Sequence, residues 1–531
     1  MEENMKKKHV SLLLAAAMAA SVISGCGNSA NNSAAETEKT ETTAAAATSA
    51  AEETTAAEAA EDTEKNETDE VVIATPRDAV QGSGDAYYCW EGAYVWEALT
   101  ANNGGVIDPW LAKSWEHNDD CTEWTFNLRD DAYFTDGVQF DADVCLKNIE
   151  RWGHGITSTY TTLSIEKSLP NLDKMEKVDD FTVKFTFTQP ITTLEYVLSD
   201  YAIGTGPYKI VDHVESEYVT LERNDNYYGE NGKVKTFKIR CIPDAETRVS
   251  ALKSGEVMGL ADNGAITMDA AKNLCDTDSS FEMDSTPSHM TEYIMFNDKN
   301  EYLADKRMRE AFNLATDRDS ICSVIYGGLL QPAYSFLSTQ STFHLDIQGT
   351  YDMEQAKALA KEVLGDKTVD MTMIIRSSTA SDYNCKAVAE YLKQVYAELG
   401  VNINIEIVDS SLYKERQQEG SYDMTLTVFG INNADPTSTF KQYFASEGNS
   451  NKTLNYNYYN EKIDELVAKA PTIADVEERS KIYDEIQQEL FDDSACVPIC
   501  YQINVNIHNK AITHYAGKTF GVGLPTISWV K

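Results

Sequence analysis

Three loops in the second half of the chain place polar and charged side chains where a ligand could be bound. Residues 376–378, 409–411 and 430–435 each follow a run of alternating apolar residues, the pattern of a β-strand. A carboxylate such as Asp435 can accept a charge-assisted hydrogen bond from an ammonium group. The chain contains no GxSxG, HExxH, CxxC or P-loop sequence, so the motifs of common hydrolases and nucleotide-binding enzymes are missing. We therefore expect a binding protein, neither an enzyme nor a cofactor-dependent protein.

The elements around these loops predict a parallel sheet. Strands and intervening helices are expected at 371–375, 381–399, 401–408, 411–418 and 424–429. Ser381 or Asp382 is the expected N-cap of the first helix. Strands that alternate with helices favour right-handed crossovers and parallel pairing, and ligands of open α/β sheets bind beyond the carboxyl ends of the strands. The three loops should thus form one wall of a cleft.

The order of elements along the chain predicts two lobes. The first half is rich in alternating strands, the second half is rich in helices, and apolar alternation from Ile499 to Ile507 returns the chain to a long strand. We expect a first lobe from residues 71–297 and 497–531, with a subdomain at about 95–200, and a second lobe from residues 298–496. Two crossings between lobes would form a hinge.

The N-terminus predicts export and lipid anchoring. Three lysines precede an apolar run and the tripeptide Ser24-Gly25-Cys26, the order of a secretory signal. Ser24-Gly25-Cys26 resembles a bacterial lipobox, so residues 1–26 are expected to be a signal peptide and Cys26 the lipidated residue. Residues 27–70 are rich in Ala, Thr and Glu and are predicted to be a disordered acidic tether. The net charge of -40 over 531 residues argues against nucleic-acid binding.

Several longer segments resemble the extracellular solute-binding proteins of family 5, the peptide- and nickel-binding proteins of ABC importers. The matching segments are LAKSWEHNDDCTEWTFNLRDDAYFTDGVQFDADV at 111–144, GTGPYKI at 204–210, RNDNYYG at 223–229, IPDAETRVSALKSGE at 242–256, DKRMREAFNLATDRDSI at 305–321 and AVAEYLKQVYAELGVNINIEIV at 387–408. This resemblance implies an α/β, two-lobed periplasmic-binding-protein-like (type II) fold that closes over a ligand. It also implies a monomer on the extracytoplasmic face of the cell membrane, which delivers its ligand to a permease.

For the ligand, the resemblance favours short peptides. In peptide-binding members an Asp after the third strand of the second lobe binds the ligand's ammonium group, and Asp435 in FGINNADP stands at that place. An equally weighted alternative is that Asp435 and Pro436 begin a helix. Candidate pocket residues beside Asp435 are Asn432 and the aromatic side chains Phe429, Trp90 and Tyr88, since aromatic walls supply contact area.

A nickel-chelate complex is the alternative ligand. PWLAKSWEH at 109–117 and RWGH at 151–154 resemble nickel-importing members, and imidazole is a suitable ligand for Ni(II). No HxH or HxxxH spacing gathers the histidines, so an ordinary surface or core position is the simpler explanation for each. His289, as a metal ligand, and Arg376 are the two candidates.

One segment departs from the family. Only about 13 residues, 191–203, separate FTFTQP from GTGPY, where members carry a longer stretch that turns back toward the cleft. One wall of the pocket is therefore expected to be reduced, and this weakens the nickel assignment. The sequence does not distinguish import from a role in sensing.

Overall fold

The computed structural model describes residues 70–78, 94–103, 106–152, 156–157, 162–163, 165, 169–198, 204–262, 264–430, 435–515 and 522–530. Four predicted functional residues, Cys26, Tyr88, Trp90 and Asn432, lie outside these ranges.

Strands occur along the whole described chain and are densest in its first half. They are β1 Glu70–Thr75, β2 Thr100–Asn103, β3 Val106–Pro109, β4 Ala112–His117, β5 Glu123–Leu128, β6 Ile156–Thr157, β7 Thr162–Leu163, β8 Leu172–Asp179, β9 Thr182–Phe187, β10 Tyr208–Val214, β11 Tyr218–Arg223, β12 Thr236–Cys241, β13 Gly259–Leu260, β14 Phe281–Phe296, β15 Gln331–Pro332, β16 Val369–Arg376, β17 Val401–Val408, β18 Met424–Gly430, β19 Cys496–Asn509, β20 Ile512–Thr513 and β21 Ser528–Trp529.

Helices dominate between the long strands β14 and β19. The α-helices are α1 Ala142–Trp152, α2 Leu194–Val197, α3 Ala245–Ser254, α4 Met268–Thr277, α5 Lys306–Ala315, α6 Arg318–Ser320, α7 Met353–Leu364, α8 Ser377–Asp382, α9 Cys385–Ala397, α10 Ser410–Glu419, α11 Thr437–Tyr443, α12 Asn449–Thr453, α13 Glu461–Lys469 and α14 Val476–Asp492. A π-helical turn covers Ile321–Ile325, and 3-10 turns cover Ala470–Thr472 and Leu524–Thr526. In the described part of the chain, every helix is too short or too polar to cross a bilayer.

One large sheet connects the two lobes. Among the described residues it holds eleven strands in the order β10-β11-β12-β1-β13-β19-β14-β18-β16-β17, with β15 paired to β19. We call the side with β10–β13 and β1 the first lobe and the side with β16–β18 the second lobe. The long strands β14 and β19 are antiparallel and pair from Phe281–Asn509 to Met295–Cys496. Because β19 pairs with β13 and β14 pairs with β18, this pair of strands connects the two lobes. Its register shifts between Pro287 and Thr291.

The subdomain of the first lobe has its own sheet and core. Strands β4, β5, β9 and β8 form a four-stranded antiparallel sheet, and the alternating residues Trp124, Phe126 and Phe185 are fully buried. Glu97 joins this subdomain to the rest of the lobe, because its buried carboxylate accepts hydrogen bonds from Trp110, Thr205, Tyr227 and Tyr228. The exact limits of the subdomain and lobes stay predictions.

The βαβ prediction in the second lobe is confirmed, with one correction. β16 pairs in parallel with both β17 and β18. The expected helix start at Ser381 or Asp382 is wrong: α8 ends at Asp382, and α9 begins at Cys385. Between them Asn384 has φ +58°, a left-handed conformation that a continuous helix cannot contain. The Nδ2 atom of Asn384 donates to Asp269 Oδ2 of the first lobe at 3.1 Å.

Candidate ligand-binding site

The carboxyl ends of β16, β17 and β18 lie at one edge of the sheet, as predicted, and residues 431–434 after β18 lie outside the described ranges. The charged side chains that follow β16 and β17 have different roles. Asp409 is an N-cap, since its carboxylate accepts hydrogen bonds from the backbone N–H groups of Ser411 and Leu412 at 2.8 and 3.0 Å. Arg376 is exposed, and its guanidinium lies 5.1 Å from the centroid of the Tyr413 ring. Both side chains are exposed, but the Asp409 carboxylate already binds the backbone at the start of α10, so Arg376 is the better candidate for a ligand contact.

Phe429, the predicted aromatic wall, belongs to a cluster of aromatic rings at the end of β18. Its ring centroid lies 4.8 Å from that of Tyr293, 5.0 Å from Tyr443 and 5.8 Å from Phe336. Phe429 and Tyr443 are half-buried, whereas Tyr293 and Phe336 are buried. The cluster therefore combines a fixed base in the core of the second lobe with two rings that reach its surface.

Asp435 is 7% exposed and already has partners within the protein. Its Oδ2 atom accepts from Arg479 Nε at 3.0 Å, and Tyr483 donates its hydroxyl to both carboxylate oxygens at 2.7 and 2.8 Å. The backbone N–H of Thr437 donates to Oδ1 at 2.9 Å, which is the helix-start contact predicted as the alternative; α11 begins one residue after Pro436. The binding of a ligand ammonium by Asp435 stays a prediction. A bound ammonium would have to share the carboxylate with the groups that already donate hydrogen bonds to it.

His289 lies beside the end of β18 in the crossing strand β14. A Cβ atom on Gly430 would lie 2.9 Å from the His289 backbone oxygen, so glycine allows the two strands to approach here. Burial lowers the pKa of His289, because a low-dielectric environment disfavours the imidazolium. Across the described residues, no three His, Cys, Asp or Glu side chains are arranged to hold a metal ion. His289 thus stands as a single imidazole whose neutral form is favoured by burial.

A polar cavity of ≈ 40 Å³ lies where both lobes meet the crossing strand β19. Its lining includes Asp262 of the first lobe, Asp382 and Tyr383 of the second lobe, and Gln502 and Asn504 of β19. Asp262 binds the Arg77 guanidinium through both carboxylate oxygens at 2.6 and 2.8 Å. Burial raises the pKa of Asp382, whereas Arg248 and Arg77 partly offset this effect. Both lobes are therefore in contact at the hinge side of the molecule.

Sequence reasoning missed Arg479 and Glu195, which lie near Asp435. Arg479 is fully buried on α14, on the same face as Tyr483 and Ile486. The sequence does contain a signal for the burial of Arg479, because this charged residue occurs at helical spacing with apolar residues of α14. Glu195 lies in the short segment 191–203, for which we predicted only a reduced wall.

An α/β molecule with two lobes joined by long crossing strands has the architecture of binding proteins that close around a ligand by hinge motion. The chain matches the description "Bacterial extracellular solute-binding proteins, family 5 Middle" over residues 106–451, and it belongs to this family. The predicted family and two-lobed fold class are thereby confirmed. Family members are extracellular solute-binding proteins; a similar structure, the ABC transporter-associated DppA of Helicobacter pylori, was determined in complex with the peptide STSA (TM-score 0.67, 22% identity, 88% of this chain and 100% of that one).

Individual family members resemble the chain at modest identity over most of its length. It is 27% identical to heme-binding protein A of Haemophilus influenzae over 461 residues, 78% of this chain and 82% of that protein. It is 25% identical to the periplasmic oligopeptide-binding protein OppA of Salmonella typhimurium over 466 residues, 79% of this chain and 84% of that protein. The structure of NikZ from Campylobacter jejuni in complex with Ni(L-His) matches with a TM-score of 0.70 and 22% identity, covering 86% of this chain and 99% of that one.

Proposed function

We propose that this protein is the substrate-binding lipoprotein of an ABC importer, which captures short peptides outside the cell and delivers them to a membrane permease. It acts as a monomer, performs no catalysis and requires no cofactor. Oligopeptide-binding OppA, which is similar over 79% of this chain, supports the peptide assignment.

The aromatic cluster at the end of β18 carries this proposal. Phe429 and Tyr443 stack with an interplanar angle of 15° and reach the surface at the carboxyl edge of the sheet, where ligands of α/β proteins bind. Aromatic rings provide large apolar contact areas that tolerate different side chains. The exposed Arg376 lies at the same edge and can bind a peptide's terminal carboxylate.

Membrane attachment would come from a lipid on Cys26. The order of lysines, apolar run and Ser24-Gly25-Cys26 supports cleavage before this cysteine. The acidic segment before β1, which begins at Glu70 and so shortens the predicted tether by one residue, would then connect the folded lobes to the extracytoplasmic face of the membrane.

Native mass spectrometry of the full chain, carrying Cys26→Ser to prevent lipidation, tests the proposal. We expect the purified protein to retain a series of peptide masses that disappears on unfolding, or to acquire one after incubation with a mixture of di- to octapeptides. A protein that takes up no peptide under either condition would contradict the peptide assignment.

Binding of a nickel chelate is the second candidate. The half-buried imidazole of His289 beside Gly430 favours it, because burial lowers the pKa of His289 and a neutral imidazole is the form that binds metal. In the same experiment, Ni(II) with free histidine would give a single metal-chelate adduct that His289→Ala removes. A retained peptide series with no metal adduct would reject this candidate.

A further inference from the structure

Glu195 projects from the subdomain toward the second lobe. Its neighbours Leu194 and Leu198 are fully buried in the subdomain core, and Thr100 Oγ1 donates to the Glu195 backbone oxygen at 2.6 Å. These contacts fix the backbone of α2. The Oε2 atom of the side chain is buried, yet it has no hydrogen-bond partner in the described chain.

Arg479 presents a complementary atom from the second lobe. The residue is 0% exposed, its Nε atom donates to Asp435, and its Nη1 atom donates to the Ile473 backbone oxygen at 2.7 Å. Its Nη2 atom is also buried and finds no acceptor within the described ranges. The fixed Nε and Nη1 contacts determine the direction of this free N–H group.

These two atoms belong to the same junction between the lobes. Thr192 Oγ1 of the first lobe donates to the Pro471 backbone oxygen of the second at 3.4 Å. The pKa of Glu195 is raised to about 7, mainly by burial; Arg479 opposes the rise and Asp435 adds to it. Even so, no ion pair links Glu195 to Arg479 among the described residues. A buried acceptor and a buried donor therefore belong to the same junction, with no hydrogen bond between them.

A neutral group that both accepts and donates hydrogen bonds would satisfy both atoms. Leaving buried charged groups unsatisfied is costly. A ligand carboxylate is disfavoured here, because Asp435 already neutralises Arg479 and Glu195 adds negative charge when ionised. An amide unit has one acceptor and one donor and carries no charge.

We propose that Glu195 and Arg479 form a subsite for one backbone amide of a bound peptide, with the carbonyl oxygen accepting from Arg479 Nη2 and the N–H donating to Glu195 Oε2. This inference rests on the proposed peptide-binding function. Because each lobe supplies one partner, the bound amide would stabilise the closed arrangement of the lobes. Glu195 would thus contribute a specific contact from the short segment to the wall of the cleft.

The test combines substitution of Glu195 with methylation of the ligand. Binding of tetraalanine, and of its variants N-methylated at each internal amide in turn, is measured by calorimetry for the full chain with Cys26→Ser. One methylation should weaken binding to the otherwise wild-type protein roughly tenfold. The same methylation should have little further effect in Glu195→Ala, because the acceptor is absent. Glu150→Ala, at an exposed site on α1 of the same subdomain, is the matched control and should keep the full sensitivity.

Each outcome decides the matter. If Glu195→Ala binds tetraalanine but is as sensitive to N-methylation of the peptide as the control, the proposed subsite is wrong while peptide binding stands. An ordered water between Glu195 and Arg479 would give this result. If the reference protein binds none of these peptides, the peptide function fails for this ligand class and the subsite fails with it. Should Glu195→Ala not fold, Glu195→Leu, which also lacks a hydrogen-bond acceptor, is measured in its place, and an unchanged sensitivity would again reject the subsite.

Discussion

Two acidic side chains on opposite sides of the lobe junction differ in how completely they are satisfied. Asp435 of the second lobe has Arg479, Tyr483 and the Thr437 N–H as partners. Glu195 of the first lobe has a buried oxygen without any partner in the described structure. A fully bonded buried carboxylate stabilises the fold, whereas an unsatisfied one is costly unless another molecule completes it. From this comparison we infer that Asp435 has a structural role and that Glu195 contacts the ligand.

The largest expected effect comes from Asp435→Ala. Removing one member of a buried ion pair leaves Arg479 uncompensated, and we expect the free energy of unfolding to fall by about 3–5 kcal/mol. Urea denaturation measures this loss. Asp492→Ala, at an exposed position of α14, should change stability by less than about 0.5 kcal/mol.

Asp435→Ala can also show that Asp435, and not only Glu195, contacts the ligand. If Asp435→Ala keeps its stability but loses peptides with a free amino terminus far more than N-acetylated ones, Asp435 is the ammonium-binding residue first predicted from the sequence. Equal losses for both kinds of peptide would leave it a purely structural role.

Glu195→Gln is expected to have a smaller, pH-dependent effect. The pKa of Glu195 is raised to about 7 from 4.5 by burial, with Arg479, Asp435 and Cys121 as the neighbouring titratable groups. The folded state holds this proton more tightly than the unfolded state, so the contribution of Glu195 to stability is present below about pH 4.5 and lost as the pH rises through about 7. Relative to wild type, Glu195→Gln should be nearly neutral at pH 4.5 and more stable by about 1–3 kcal/mol at pH 8.

Urea denaturation at both pH values measures this difference. Other acids with raised pKa, such as Glu97 and Asp298, are present in both proteins and cancel. Glu150→Gln should show no such trend. A constant difference between wild type and Glu195→Gln at the two pH values would mean that Glu195 is as well solvated as an ordinary surface acid.

The sequence predicted what local patterns determine. Alternation marked β16, β17 and β18, and a helix was predicted over the length of α9, because periodicity depends only on neighbouring residues. The start of α9 was missed, since Ser381 and Asp382 are typical N-caps while the decisive feature is the left-handed Asn384. No local pattern distinguishes these possibilities.

The candidate site depended on contacts between distant segments. Asp435 and Arg479 are 44 residues apart, and the sequence offered no reason to pair them. The carboxylate was therefore treated as free to bind a ligand or to begin a helix. Glu195 was missed because a short segment was judged by its length alone, without the burial of Leu194 and Leu198 that directs the side chain toward the second lobe.

The smallest expected effect comes from Tyr483→Phe, which tests how the bonds of Asp435 are shared. The substitution removes the hydroxyl donor but keeps the ring, whose centroid lies 4.9 Å from that of Phe343. Arg479 and the Thr437 N–H remain bonded to the carboxylate, so we expect a loss of only about 1–2 kcal/mol in the free energy of unfolding. Tyr459→Phe, at a site 68% exposed, provides the control and should be neutral. A loss as large as that of Asp435→Ala would mean that the tyrosine, more than the arginine, stabilises Asp435; Arg479 would then be less tightly committed to the fold and freer to bind a ligand.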